Sequence, residues 1–111
     1  MSKLIHIVHF QFTPAATPSD IAGVCERFLA LQTQCQHPTT QQAYILSATG
    51  GKDNSPEGLQ GVFTHSYVLE FASREDRDYY VSKDPAHMAF GARLTGLVEK
   101  VMVMDFEPGV F

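Results

Sequence analysis

The stretch from Leu4 to Phe12 sorts with a period of two, placing Leu4, His6, Val8, Phe10 and Phe12 on one face and Ile5, Ile7, His9 and Gln11 on the other. A half-exposed strand would carry more polar residues on its second face, so this first strand is expected to be covered on both sides. Thr17-Pro18-Ser19-Asp20 has the form of a capping box with proline in the first turn. The helix it opens is predicted to run to about Gln34, with Ile21, Val24, Phe28 and Leu31 on its buried side. Ala43 to Ala48 reads as a second strand, Gly50 to Gly61 as a surface loop, and Phe63 to Phe71 as a third strand. On that third strand His65 shares the more apolar face with Tyr67, Leu69 and Phe71. Ser73-Arg74-Glu75-Asp76 starts a short helix that carries Tyr79, Tyr80 and Val81. Asp84-Pro85 starts another, predicted to reach about Glu99 with His87, Phe90, Leu94, Leu97 and Val98 on one stripe. A last strand, Val101 to Phe106, has Val101, Val103 and Asp105 on one side and Met102, Met104 and Phe106 on the other. The order is β-α-β-β-α-β with the second α position split in two. This predicts an α+β, ferredoxin-like fold, an antiparallel sheet with helices on one face.

Size and charge narrow the functional classes. A chain of 111 residues is expected to form a single domain over residues 1–111. A net charge of -4 supplies no basic stripe for phosphate backbones, which argues against nucleic acid as a partner. The N-terminal Met1-Ser2-Lys3 leads directly into the first strand without a long apolar run, so neither a signal segment nor a membrane span is expected. Cys25 and Cys35 form no C-x-x-C pair and read as reduced thiols of a cytoplasmic protein.

Among the ionisable side chains, His87 stands out. It falls in the first turn of a helix, on the stripe that faces the interior. Burial and the positive end of the helix dipole both disfavour imidazolium, which leaves a neutral ring able to accept a proton near pH 7. Alone, such a residue reads more readily as a core histidine satisfied by a carbonyl or a buried carboxylate. No metal motif of close spacing links His6, His65, His87 and Asp105, and no cofactor or metal is expected.

Several short stretches carry a resemblance: His6-Ile7-Val8, Thr64-His65, Asp84-Pro85-Ala86-His87 with Ala89-Phe90, and Asp105-Phe106. Together they resemble the stress-responsive dimeric α/β-barrel (Dabb) family over nearly the whole chain. The resemblance implies a homodimer of two ferredoxin-like protomers whose sheets meet as a barrel, each with a pocket between its own sheet and helices. Within the family the pattern is similar to that of the plant polyketide cyclases. That similarity implies His87 as catalytic base, Asp105 as the carboxylate that orients it, and His6 and His65 as pocket histidines. It also implies a catalytic tyrosine at Tyr80, although one extra residue before the Pro-Ala-His motif leaves Tyr79 as an alternative. Phe28, Phe71, Phe90 and Leu94 would line the substrate pocket and exclude water. The implied chemistry is a cofactor-independent lyase, cyclase or isomerase reaction on a small hydrophobic or aromatic, polyketide-like carbonyl compound. A stable stress-responsive dimer that binds a small molecule without turning it over is the alternative.

Overall fold

The computed structural model describes residues 3–111; Met1 and Ser2 lie outside it. The elements are β1 (Leu4–Phe12), α1 (Pro18–Gln34), β2 (Ile45–Lys52), β3 (His65–Phe71), α2 (Arg74–Ser82), α3 (Pro85–Ala92) and β4 (Val98–Phe106). The strands form one antiparallel sheet in the order β2-β3-β1-β4, so β1 is central and β2 and β4 are the edges. This is the predicted α+β, ferredoxin-like arrangement.

Local chemistry accounts for the helix ends. At the start of α1 the Thr17 amide donates to Asp20 Oδ2, and the Asp20 amide donates to Thr17 Oγ1, both at 3.0 Å. Ser73 caps α2 by accepting from the Asp76 amide, and Asp84 caps α3 by accepting from the Ala86 amide. The helices cover the sheet face that carries Leu4, Val8 and Phe10, and the core lies between the two layers. Its aromatic centre is Phe28 stacked on Tyr67, with ring centroids 4.2 Å apart and Phe10 against both.

Five boundaries differ from the sequence reading. The helix expected to reach Glu99 stops at Ala92, because Gly96 adopts a left-handed φ of 83° and the chain turns there into β4. Thr13 fixes that turn, donating from its amide to the Leu97 carbonyl and from its hydroxyl to the Gly96 carbonyl. Val98 therefore begins β4, three residues earlier than expected, and does not continue a helical stripe. β2 starts later than predicted and extends through Gly50 and Gly51 to Lys52, so the loop shifts to residues 53–64 and β3 starts at His65. The glycines are compatible with the strand for a local reason. A Cβ at Gly50 would lie 2.6 Å from Tyr67 Cδ1 and 2.7 Å from the Ser66 carbonyl oxygen, so the ring of Tyr67 occupies the space of a side chain.

The outer sheet face is apolar and uncovered in the protomer. Ile7 sits between Val68 of β3 and Met104 of β4, while Ile5 pairs with Phe106 and His9 with Met102. Met104 is 63% exposed and Phe106 46%. No helix among the described residues is long and apolar enough to cross a membrane.

Candidate functional site

A cavity of about 150 Å³ opens between the helical layer and the β1–β4 half of the sheet. β1 supplies His6, Val8 and Phe10, α1 supplies Phe28, α2 supplies Tyr80, and α3 with the turn after it supplies His87, Phe90 and Leu94. Val101 and Val103 of β4 complete the wall. The cavity is thus apolar apart from two imidazoles and a phenol.

His87 stacks on Tyr80, with ring centroids 4.0 Å apart and planes 29° from parallel. Its Nδ1 is buried without a protein hydrogen-bond partner, and so is the Tyr80 hydroxyl. Buried polar atoms are nearly always bonded, and here two unsatisfied ones belong to side chains that line one cavity. Tyr80 rather than Tyr79 is the phenol at the cavity, because the Tyr80 ring is fully buried against His6, Phe71 and His87. Tyr79 instead packs on Tyr44. Burial pushes the Tyr80 hydroxyl well above its usual range, with Cys35 and Asp84 adding to the shift, so the group is a hydrogen-bond donor at neutral pH.

Burial also lowers the His87 pKa from the ordinary 6.5. The Tyr80 backbone and Asp84 oppose that shift, and His6 reinforces it. The balance favours the neutral ring at neutral pH. The unfolded chain takes up a proton near pH 6.5 that the folded protein resists at this ring. The associated penalty is absent above that pH and grows as pH falls toward the lower folded value. His65 shifts in the same direction through burial and the nearby Lys52 charge, so it adds to the effect. The melting temperature should therefore fall between about pH 7 and pH 5, and fall less in His87→Phe. Parallel profiles for the two proteins would exclude His87 as a source of that acid sensitivity.

The orienting carboxylate is not where the resemblance placed it. Asp105 lies directly across from His6 in the β1–β4 register, and its Oδ1 accepts from His6 Nδ1 at 2.7 Å. Its Oδ2 accepts from Arg77 Nη1 at 2.6 Å. Asp105 is thus committed to His6 and Arg77, and the expected His87–Asp105 dyad is replaced by an Arg77–Asp105–His6 relay. The acid associated with His87 is Asp84, buried at the cap of its helix. Tyr44 donates to Asp84 Oδ2 at 2.5 Å, and together they fix the start of α3. Tyr44→Phe removes one charge-assisted bond from this buried carboxylate and should cost about 2 kcal/mol in denaturant unfolding. A midpoint equal to wild type would show that the bond carries no weight.

Two other expected site residues stand apart from the cavity. His65 is buried at the far end of β3, with Nδ1 2.8 Å from Thr64 Oγ1 and Phe12 edge-on to its ring. Phe71 backs His6 and Tyr80 from behind without lining the cavity. Both lie on the predicted face, but at strand positions away from His87. Among the described residues, no three His, Cys, Asp or Glu side chains are grouped to hold a metal ion.

The profile of the Stress responsive A/B Barrel Domain (Dabb) matches residues 4–108. The chain is 38% identical over 58 residues to the stress-response A/B barrel domain-containing protein HS1 of Arabidopsis thaliana. That alignment spans 52% of each protein, about half the length of this curated relative. Its fold matches the Arabidopsis thaliana protein At3g17210 with a TM-score of 0.80, at 24% identity over 97% of both chains. It also matches the hydroxynitrile lyase of Passiflora edulis with a TM-score of 0.83, at 20% identity over 99% of this chain and 97% of that one. A protein of the same shape from Thermobifida fusca is described as a ferredoxin-like dimer, with a TM-score of 0.72 at 19% identity over 96% and 91% of the two chains. The profile match covers every element of the fold, including the strand that carries Asp105 and the helix that carries His87, and the chain belongs to the stress-responsive A/B barrel (Dabb) family.

Proposed function

We propose that this protein is a cofactor-independent lyase or cyclase that removes a proton beside the carbonyl of a small hydrophobic, polyketide-like substrate. His87 is the base. The observation that carries the reading is that His87 and Tyr80, whose Nδ1 and hydroxyl have no hydrogen-bond partner, line one mostly apolar cavity together. A phenol that donates to the carbonyl oxygen stabilises the enolate formed when the neighbouring carbon gives up its proton. His6, held through Nδ1 by Asp105, presents its other ring nitrogen for proton return. Aldol-type ring closure, dehydration or isomerisation follows from the enolate without a redox or electrophilic cofactor. The kinship in fold with a hydroxynitrile lyase supports catalytic use of this architecture. The apolar outer sheet face supports a homodimer, and the two free cysteines suit a cytoplasmic setting.

The test offers the protein aryl and alkyl methyl ketones in heavy water, and mandelonitrile in a parallel assay, alongside native mass spectrometry of small molecules retained on purification. Deuterium gain beside the carbonyl is the expected result; release of benzaldehyde and cyanide without such exchange would overturn the enolate chemistry in favour of hydroxyl deprotonation. A tightly held apolar molecule recovered unchanged, with no exchange on any ketone and no cleavage, would instead establish a non-catalytic binding dimer.

A further inference from the structure

A second cavity, of about 310 Å³, lies on the helical side of the molecule between α1 and α3. Its walls are Arg27, Leu31 and Gln34 of α1, Ala86, Ala89 and Phe90 of α3, and Arg93 just beyond. Two guanidinium groups and an amide therefore border an apolar floor, and no acidic side chain is among the lining residues. Elsewhere Arg77 bonds Asp78 and Asp105, Arg74 bonds Glu107, and Lys3 approaches Glu70. Arg27 and Arg93 take part in no such pair among the described residues. Arg27 is partly buried, and its Nε is fully buried without a hydrogen-bond partner. A guanidinium that lines a groove without a carboxylate partner is free to meet an anion that enters it.

The sequence makes room for this arrangement. The Arg27 guanidinium folds back along α1 over Gly23, where a Cβ would stand 3.1 Å from Nη1. The groove faces away from the sheet's outer surface, so dimerisation through that surface leaves it open. One residue belongs to both cavities: Phe90 floors the groove and lines the His87 cavity.

We infer that the α1–α3 groove is a binding site for the oxyanion of an amphipathic ligand, held by Arg27 and Arg93 with its apolar body on Leu31 and Phe90. Carboxylate and phosphate monoester share the required chemistry, since a planar guanidinium offers paired N–H donors to either. Phe90 separates the two cavities, so the inference stands apart from the reading of the His87 site.

Sodium octanoate, octyl phosphate and inorganic phosphate are the probes, titrated into the full-length protein and followed by amide shifts in NMR and by calorimetry. Binding of octanoate or octyl phosphate, with shifts at Arg27, Ala89, Phe90 and Arg93, is expected, and whichever binds tighter names the anion. Arg27→Gln and Arg93→Gln should each weaken it about tenfold, and Arg27→Lys should restore part of the loss. Octanoate binding should persist in His87→Phe, so failure of the groove and failure of the proposed chemistry remain separable. No saturable binding of either amphiphile overturns the inference. Inorganic phosphate binding as tightly as octyl phosphate overturns the role of the apolar floor.

Discussion

His87→Phe is expected to lower turnover by about 10²- to 10⁴-fold while leaving the fold and cavity in place. Phenylalanine can keep the stack on Tyr80, where the two rings lie 4.0 Å apart, and it removes the buried Nδ1 that has no protein partner. Structure is thereby separated from chemistry more cleanly than by alanine, which would open a void beside Tyr80. Asp105→Asn gives a graded contrast. Asp105 touches His6 and Arg77, so its loss should cost less than that of His87. The change should appear as an altered tautomer of His6 in nitrogen NMR shifts with those of His87 unmoved. If His87→Phe turns over substrate at the wild-type rate, the proposed base is wrong, and His6 becomes the residue to examine.

Ile7→Asp should convert a dimer of twice the 12.3 kDa protomer mass into a monomer at micromolar concentration. Ile7 is at the centre of the outer face between Val68 and Met104, with Ile5 and Phe106 beyond. A two-fold contact there would bury two new carboxylates for each dimer, close to the axis and without partners. An unpaired buried charge costs several kcal/mol, enough to raise the dissociation constant by three orders of magnitude or more, about tenfold for each 1.4 kcal/mol. Light scattering with circular dichroism checks it, and Met104→Asp, on the edge strand, guards against a variant that simply unfolds. A wild-type protein that is monomeric at micromolar concentration would rule out this face as the interface.

The elements of the fold were legible because their signals are local. The period-two pattern of β1, the Thr17–Asp20 box and the Asp84-Pro85 start each depend on neighbours within a few residues. The end of α3 was misread because Leu94, Leu97 and Val98 keep helical spacing although Gly96 breaks the helix, and the glycine signal is stronger than the apolar stripe. In the site, His87, Tyr80, Phe28, Phe90 and Leu94 are brought together as the pattern and the resemblance implied. The partner of Asp105 was not recognised, although the ferredoxin-like order already puts β4 beside β1. Counting register along those two strands would have set Asp105 opposite His6. The Tyr44–Asp84 bond and the Arg27–Arg93 groove left no such trace, since each depends on how helices pack against one another or against a distant segment.

The pairing of His6 with Asp105 joins residues 99 positions apart, and β1 finds its second neighbour only in the last strand of the fold. Contacts of that separation form late, because a long loop must close before they contribute. During synthesis, β1 leaves the ribosome well before β4 and must wait with one edge unpaired until β4 follows. A nascent chain stalled before Val98 has His87 but lacks the strand that walls its cavity and the carboxylate that holds His6. The cavity is therefore complete only after translation has passed β4, and chains cut short of it present an open apolar β1 edge to chaperones and proteases.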